Sequence, residues 1–168
     1  LSELALDDVR LLVVTKSVPA DRVRLAAAAG CRDLGENKVQ EAKQKSVELS
    51  DLDVSWSIIG HLQTNKAKTV ASFAQEFQAL DSLRVADALD HHLQAVGRPL
   101  DVFVQVNTSG EESKYGVTPD GLPALLRDLA HHHSLRVRGL MPLATFTSDT
   151  ATVRSCFRLL RTLRDQAR

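Results

Sequence analysis

The chain has 168 residues, 43% apolar but only 4% aromatic, so its core must be built mainly from Leu, Val and Ala within one domain of ordinary size. Its 21 acidic and 21 basic side chains cancel to a formal charge of zero, which gives no general field for holding nucleic acid or an anionic membrane. No apolar run reaches the length of a membrane span, no charged-then-apolar leader is visible, and the distant Cys31 and Cys156 read as free thiols of a reducing cytoplasm.

The first apolar run, residues 10–15 (RLLVVT), is short, continuous and β-branched, and passes into Lys16 just before a turn. An alanine-rich helical stretch, 21–29, stops at Gly30, a common residue just past a helix end. A weaker strand, 31–37 (CRDLGEN), precedes a strongly charged helix, 38–49. Residues 55–60 (SWSIIG) form the next strand, and 62–73 the next helix. Residues 76–81 (EFQALD) lead to Ser82, which predicts an N-cap for a helix over 83–96 with Val85, Leu89 and Leu93 on one stripe. After the strand 101–108 (DVFVQVNT), Thr118-Pro119 predicts a cap and first-turn proline for a helix carrying Leu122, Leu125, Leu126 and Leu129. The last strand, 135–143, is followed by a helix marked by Val153, Phe157 and Leu160.

Six βα units with an even beat suit either an open doubly wound sheet or a (β/α) barrel, and the rhythm favours the barrel. Six units do not close the usual eight-stranded one. The chain begins at Leu1 and stops at Arg168 inside a helical pattern. The expectation is therefore a single domain over residues 1–168, of α/β class and TIM-barrel-like, lacking its last two units.

In such folds the site lies at the carboxyl ends of the strands. Those ends carry Lys16 and Ser17, Glu36 and Asn37, Gly60 and His61, Asp81 and Ser82, Asn107 to Ser109, and Met141-Pro142. Caps and turns explain several of these equally well. Lys16 has two readings. It pairs with Glu36 or Asp81, or extends along the surface with its amine in water. Alternatively, desolvation leaves a neutral nucleophile able to condense with an aldehyde. The run His131-His132-His133 lacks metal-ligand spacing and suits a helix C-terminus. The loop 109–116 (SGEESKYG) could cradle a phosphate through its backbone, but Glu111 and Glu112 oppose an anion, so a structural or partner-facing loop is the better reading. No dinucleotide fingerprint or P-loop occurs.

Several segments carry a resemblance in a fixed order: VVTKSVP, DLGENKVQEAKQK, WSIIGHLQTNKAK, VFVQVNTSGEESKYGV and VRGLM. Together they resemble the pyridoxal phosphate homeostasis protein family, whose fold is like the barrel domain of alanine racemase. The likeness covers the chain from about Leu11 onward. It implies a cytoplasmic protein holding pyridoxal 5′-phosphate, with Lys16 forming the Schiff base, Asn37 beside the cofactor, and His61 and Met141 in the pocket wall. It implies a role in vitamin B6 homeostasis, binding or carrying the cofactor, with dependent apoenzymes as possible recipients and little or no turnover.

The alternative is an amino-acid racemase. That reaction needs acid and base on opposite faces of the substrate α-carbon, and the only tyrosine, Tyr115, lies in a polar loop. Ser57, Val18 and Pro142 depart from the family pattern, and its closing S-M-G-M-S and V-R-I-G segments, which would cup the phosphate, do not occur.

Overall fold

The computed structural model describes residues 9–111 and 113–167. Six strands, β1 (Val13–Val14), β2 (Asp33–Glu36), β3 (Ser55–Ile58), β4 (Glu76–Leu80), β5 (Leu100–Val106) and β6 (Leu135–Pro142), alternate with α1 (Ala20–Ala28), α2 (Val39–Glu48), α3 (Ala67–Phe73), α4 (Leu83–Val96), α5 (Leu122–Leu129) and α6 (Thr150–Gln166). Every pairing is parallel, and strand order in the sheet equals order in the chain. Right-handed crossovers in such a sheet put all the helices on one face and leave the other concave, as in a barrel. The sheet does not close: β1 and β6 are its edges.

Alternation along each strand assigns the two faces. Leu34, Trp56, Phe77, Val102 and Val104 are buried beneath the helices. Of these, Phe77, Val102 and Val104 meet the stripe Val85, Leu89 and Leu93 of α4 and Leu122, Leu125 and Leu129 of α5 in one main cluster. A second cluster of Val23, Leu34, Leu49 and Trp56 seals α1 and α2 onto β2 and β3. Each fully buried Leu, Val or Phe contributes about 1.5–3 kcal/mol.

The other face is polar at the amino ends of its strands. Arg10 clasps Glu76 through bonds of 2.8 and 2.7 Å and reaches Asp33 at 3.4 Å. Ser57 donates to Glu76 at 3.1 Å, and Asp101 takes Arg136 and Arg138 at 2.6 and 2.9 Å. Burial would raise the Asp101 carboxyl, but its two arginines outweigh it and hold it below the usual range.

Several local expectations are corrected. β1 pairs only over Val13–Val14, because an edge strand has one neighbour and the chain turns at Lys16. Residues 62–66 are not α-helical: Gln63 is extended, and a 3-10 turn, Thr64–Lys66, leads into α3. Leu62 nevertheless enters the core from the loop. Ser82 occupies the N-cap position of α4 without a side-chain cap bond. Thr118 closes a turn through Gly121 N–H at 3.2 Å, so α5 starts at Leu122 with Pro123 in its first turn. Phe157 points outward at 53% exposed; Cys156, Leu160 and Leu163 form the inward stripe of α6 instead. His132 bridges α4 and α5, with its ring nitrogens 2.8 Å from an Asp87 carboxylate oxygen and 3.2 Å from the Asp128 carbonyl. Among the described residues no cluster of His, Cys, Asp and Glu is placed to hold a metal, and no helix is long and apolar enough to cross a membrane.

Candidate functional site at the carboxyl rim

The carboxyl end of β1 is a tight turn built around Lys16. Val13 packs into the helix-side cluster, and Thr15 follows it on that side, its hydroxyl donating to Glu36 at 2.7 Å. Val14 therefore takes the concave side, and Lys16 opens the turn just past the strand. Thr15 N–H continues the ladder to Gly35 at 2.9 Å, and Val18 N–H closes the turn onto the Thr15 carbonyl at 3.0 Å. Ser17 sits at φ 60, the only non-glycine residue with positive φ among those described. An L-residue there is held by its surroundings rather than by preference. The hold is explicit: Ser17 N–H donates to Glu41 Oε1 at 2.7 Å.

Beneath the turn lies a buried ionic network. Glu36 is fully buried at the end of β2, and Lys45 of α2 is 6% exposed. The Lys45 ammonium spends its three donors on the Thr15 carbonyl at 2.7 Å, Glu36 Oε1 at 2.6 Å and Glu41 Oε1 at 2.8 Å. Burial pulls the Lys45 ammonium down, but the bonds to Glu36 and Glu41 outweigh it and leave it raised. Lys45, with the Ser17 amide, holds the Glu41 carboxyl below its usual range. Glu36 Oε2 is buried without a partner.

Asn37 follows β2, and the start of the β3 loop runs next to it, with Ile59 N–H donating to the Glu36 carbonyl at 2.9 Å. That loop needs Gly60, because a Cβ there would stand 2.5 Å from the Asn37 carbonyl oxygen. His61 follows, its Nδ1 3.3 Å from Asp81 Oδ2 at the end of β4. The Tyr115 ring stacks on His61, with centroids 3.9 Å apart and planes 11° from parallel.

Tyr115 comes from the loop after β5, which Asn107 organises. Its amide donates to the carbonyls of Glu111 at 2.9 Å and Lys114 at 3.3 Å, and its oxygen accepts from Ser109 and Gly110. Gly116, at φ 123, lets this loop pass so close to β5 that a Cβ would meet Asn107 N at 2.7 Å. The loop is thus a structural cover for the rim; Glu112 lies outside the described residues. Asn37, His61, Gln63, Lys66 and Tyr115 line one cleft. Met141 is half-buried across the sheet, in register with Gln105.

Asn37 and His61 thus share one cleft, Lys16 stands at the end of β1 outside that lining, and Met141 lies on the far strand. The expectation that Lys16 pairs with Glu36 or Asp81 is corrected, because those carboxylates are taken by Lys45 and His61. Among the described residues Lys16 makes no ion pair, whereas the acids and arginines of the concave floor pair with one another. The expected shielding is corrected too: Lys16 is exposed. Sequence reasoning missed Glu41, Lys45 and the stacking of Tyr115. The i, i+4 spacing of Glu41 and Lys45 was the available signal.

Comparison with known proteins gives a consistent picture. The family profile described as "Alanine racemase, N-terminal domain" matches residues 1–168. The pyridoxal phosphate homeostasis protein of Pseudomonas aeruginosa is 44% identical over 155 residues, 92% of this chain and 67% of its own length. That of Aquifex aeolicus is 36% identical over 157 residues, 94% of this chain and 69% of its own. The solved structure of PipY from Synechococcus elongatus with PLP bound superposes with a TM-score of 0.89 at 33% identity, covering 99% of this chain and 78% of that one. Alanine racemase of Clostridium difficile shares the fold at a TM-score of 0.76 and 14% identity.

Proposed function

The chain belongs to the pyridoxal phosphate homeostasis protein family, and we propose that it holds pyridoxal 5′-phosphate as a Schiff base on Lys16 and serves cytoplasmic homeostasis of that cofactor, with little or no catalysis of its own. The observation that carries this reading is Lys16 itself. It is an exposed amine, unpaired among the described residues, on a pinned turn at the carboxyl end of β1. The PLP-bound PipY structure, alike over nearly the whole chain, supports the choice of ligand.

The residues present fit the aldehyde and ring of that cofactor. A primary amine stands at a strand end, and Asn37, His61 and Met141 lie around the same rim. Bound there, the cofactor would supply an electrophilic aldehyde and a conjugated ring. Lys16 contributes the nucleophile, Asn37 an amide at the next strand end, and His61 a ring fixed by Asp81 and Tyr115. Tyr115, the one tyrosine of this sequence, has its ring stacked on His61, which supports the carrier reading over a racemase. An exposed amine also suits passing the cofactor on to apoenzymes.

Borohydride reduction of protein mixed with pyridoxal 5′-phosphate, followed by peptide mass mapping, tests the assignment. The label is expected on Lys16, and Lys16→Ala is expected to lose the visible absorbance of the imine. A stable adduct on Lys38 or Lys66 with Lys16 unmodified would refute it.

A further inference from the structure

We propose that Glu41 and Lys45 are positioning residues for Lys16, acting through the backbone on either side of it; the inference rests on the reading of Lys16 as the cofactor-binding amine. Lys45 bonds the carbonyl of Thr15, the residue before Lys16, at 2.7 Å. Glu41 accepts the N–H of Ser17, the residue after it, at 2.7 Å. The two clamps are joined, because Lys45 also donates to Glu41 Oε1 at 2.8 Å. Both come from α2, so one helix grips both peptide groups that set the direction of the Lys16 side chain.

The clamp has work to do, because Ser17 adopts φ 60. An L-residue without a restraint leaves that region for the ordinary right-handed or extended ones. Release would let the turn relax and change the direction of the Lys16 Cα–Cβ bond. Glu36 anchors the base of the device: it is fully buried, fixes the Lys45 ammonium at 2.6 Å and holds the Thr15 hydroxyl at 2.7 Å. The same sequence segment therefore supplies Asn37 at the rim and, on the helix that follows it, the grip on the neighbouring strand. A solely stabilising ion pair would need neither bond to the peptides flanking Lys16.

The consequence is a conformational one. If only the clamped turn presents the amine, the measured dissociation constant for pyridoxal 5′-phosphate rises as the clamped fraction falls. Losing a hydrogen bond to a charged acceptor is expected to weaken capture by Glu41→Ala about ten-fold. Exchange of the Ser17 amide in the cofactor-free protein is expected to speed up by about the same factor. Glu41→Gln keeps an acceptor for the Ser17 N–H and stays near the parent in both readings. Adding Ser17→Gly to Glu41→Ala makes positive φ free of strain and restores most of the affinity.

The experiment is a titration of the four full-length proteins with pyridoxal 5′-phosphate, alongside amide exchange and urea unfolding of each without cofactor. Parent-like capture by Glu41→Ala overturns the proposal. So does a loss in Glu41→Ala that neither Glu41→Gln nor the added Ser17→Gly repairs while all four remain folded. Failure of the parent itself to capture the cofactor on Lys16 would instead bring down the functional reading, and this inference with it.

Discussion

Replacing Lys45 by methionine isolates the energetic weight of the buried network. The substitution keeps the approximate volume but deletes three charge-assisted bonds, of 2.6, 2.7 and 2.8 Å. It leaves the fully buried Glu36 carboxylate with only the Thr15 hydroxyl, because its second oxygen already lacks a partner. Removing one partner of a buried ion pair costs about 3–5 kcal/mol. For a chain of this size that lowers the melting temperature by about 10 °C. The deficit includes the cost of leaving the Glu36 charge buried and unpaired. Neutralising it deliberately with Glu36→Gln in the Lys45→Met background should therefore recover about half of the deficit. Urea unfolding followed by Trp56 fluorescence is the assay, since this sole tryptophan is buried on β3 in the cluster of Val23, Leu34 and Leu49, beside Leu34 of β2. A loss below about 1 kcal/mol for Lys45→Met would refute the reasoning, as would a double variant no more stable than the single one.

Two further outcomes are expected. Gly60→Ala drives a methyl group to 2.5 Å from the Asn37 carbonyl, so the loop must shift. It should destabilise the protein by about 1–3 kcal/mol and weaken cofactor capture, measured by urea unfolding and by titration; parent-like behaviour in both would refute the close approach. The Glu41 carboxyl lies below its ordinary value of 4.5 when folded, so the stability it contributes is present above that pH and lost as pH falls through the lowered value. Lys45 is raised above its ordinary 10.5, so its contribution is full below that value and is lost only as pH rises through the raised one. Acid unfolding monitored by circular dichroism should therefore show a shallower loss below pH 4.5 for Glu41→Gln than for the parent; identical acid limbs would contradict the role of Glu41.

The strand beat and the two helical stripes of α4 and α5 were legible because both follow from periodic burial, and periodicity is written directly in the residues. Reading only the strand ends located the rim, since in a parallel sheet all carboxyl ends lie on one side. What escaped depended on contacts between units. Glu41 and Lys45 look like an ordinary solvated pair on a charged helix until β2 places Glu36 beneath them. Phe157 satisfies the spacing of an inward stripe, but Cys156 fills that place. Tyr115 could not be paired with His61 from a loop whose path is set by Asn107 and by the missing Cβ of Gly116. Lys16 was expected to be shielded, but burial belongs to the surroundings of a strand end rather than to the strand.

Strand order that equals chain order has a consequence for how the molecule comes into being. Among the described strands each new one docks on the one synthesised just before it, so none of these pairings waits for a distant part of the polypeptide. Loop closure remains short at every step, which favours rapid, stepwise assembly as the ribosome delivers each unit. The peptide groups around Lys16 belong to the earliest of these steps: they can be locked as soon as α2 has emerged, before β5 and β6 exist.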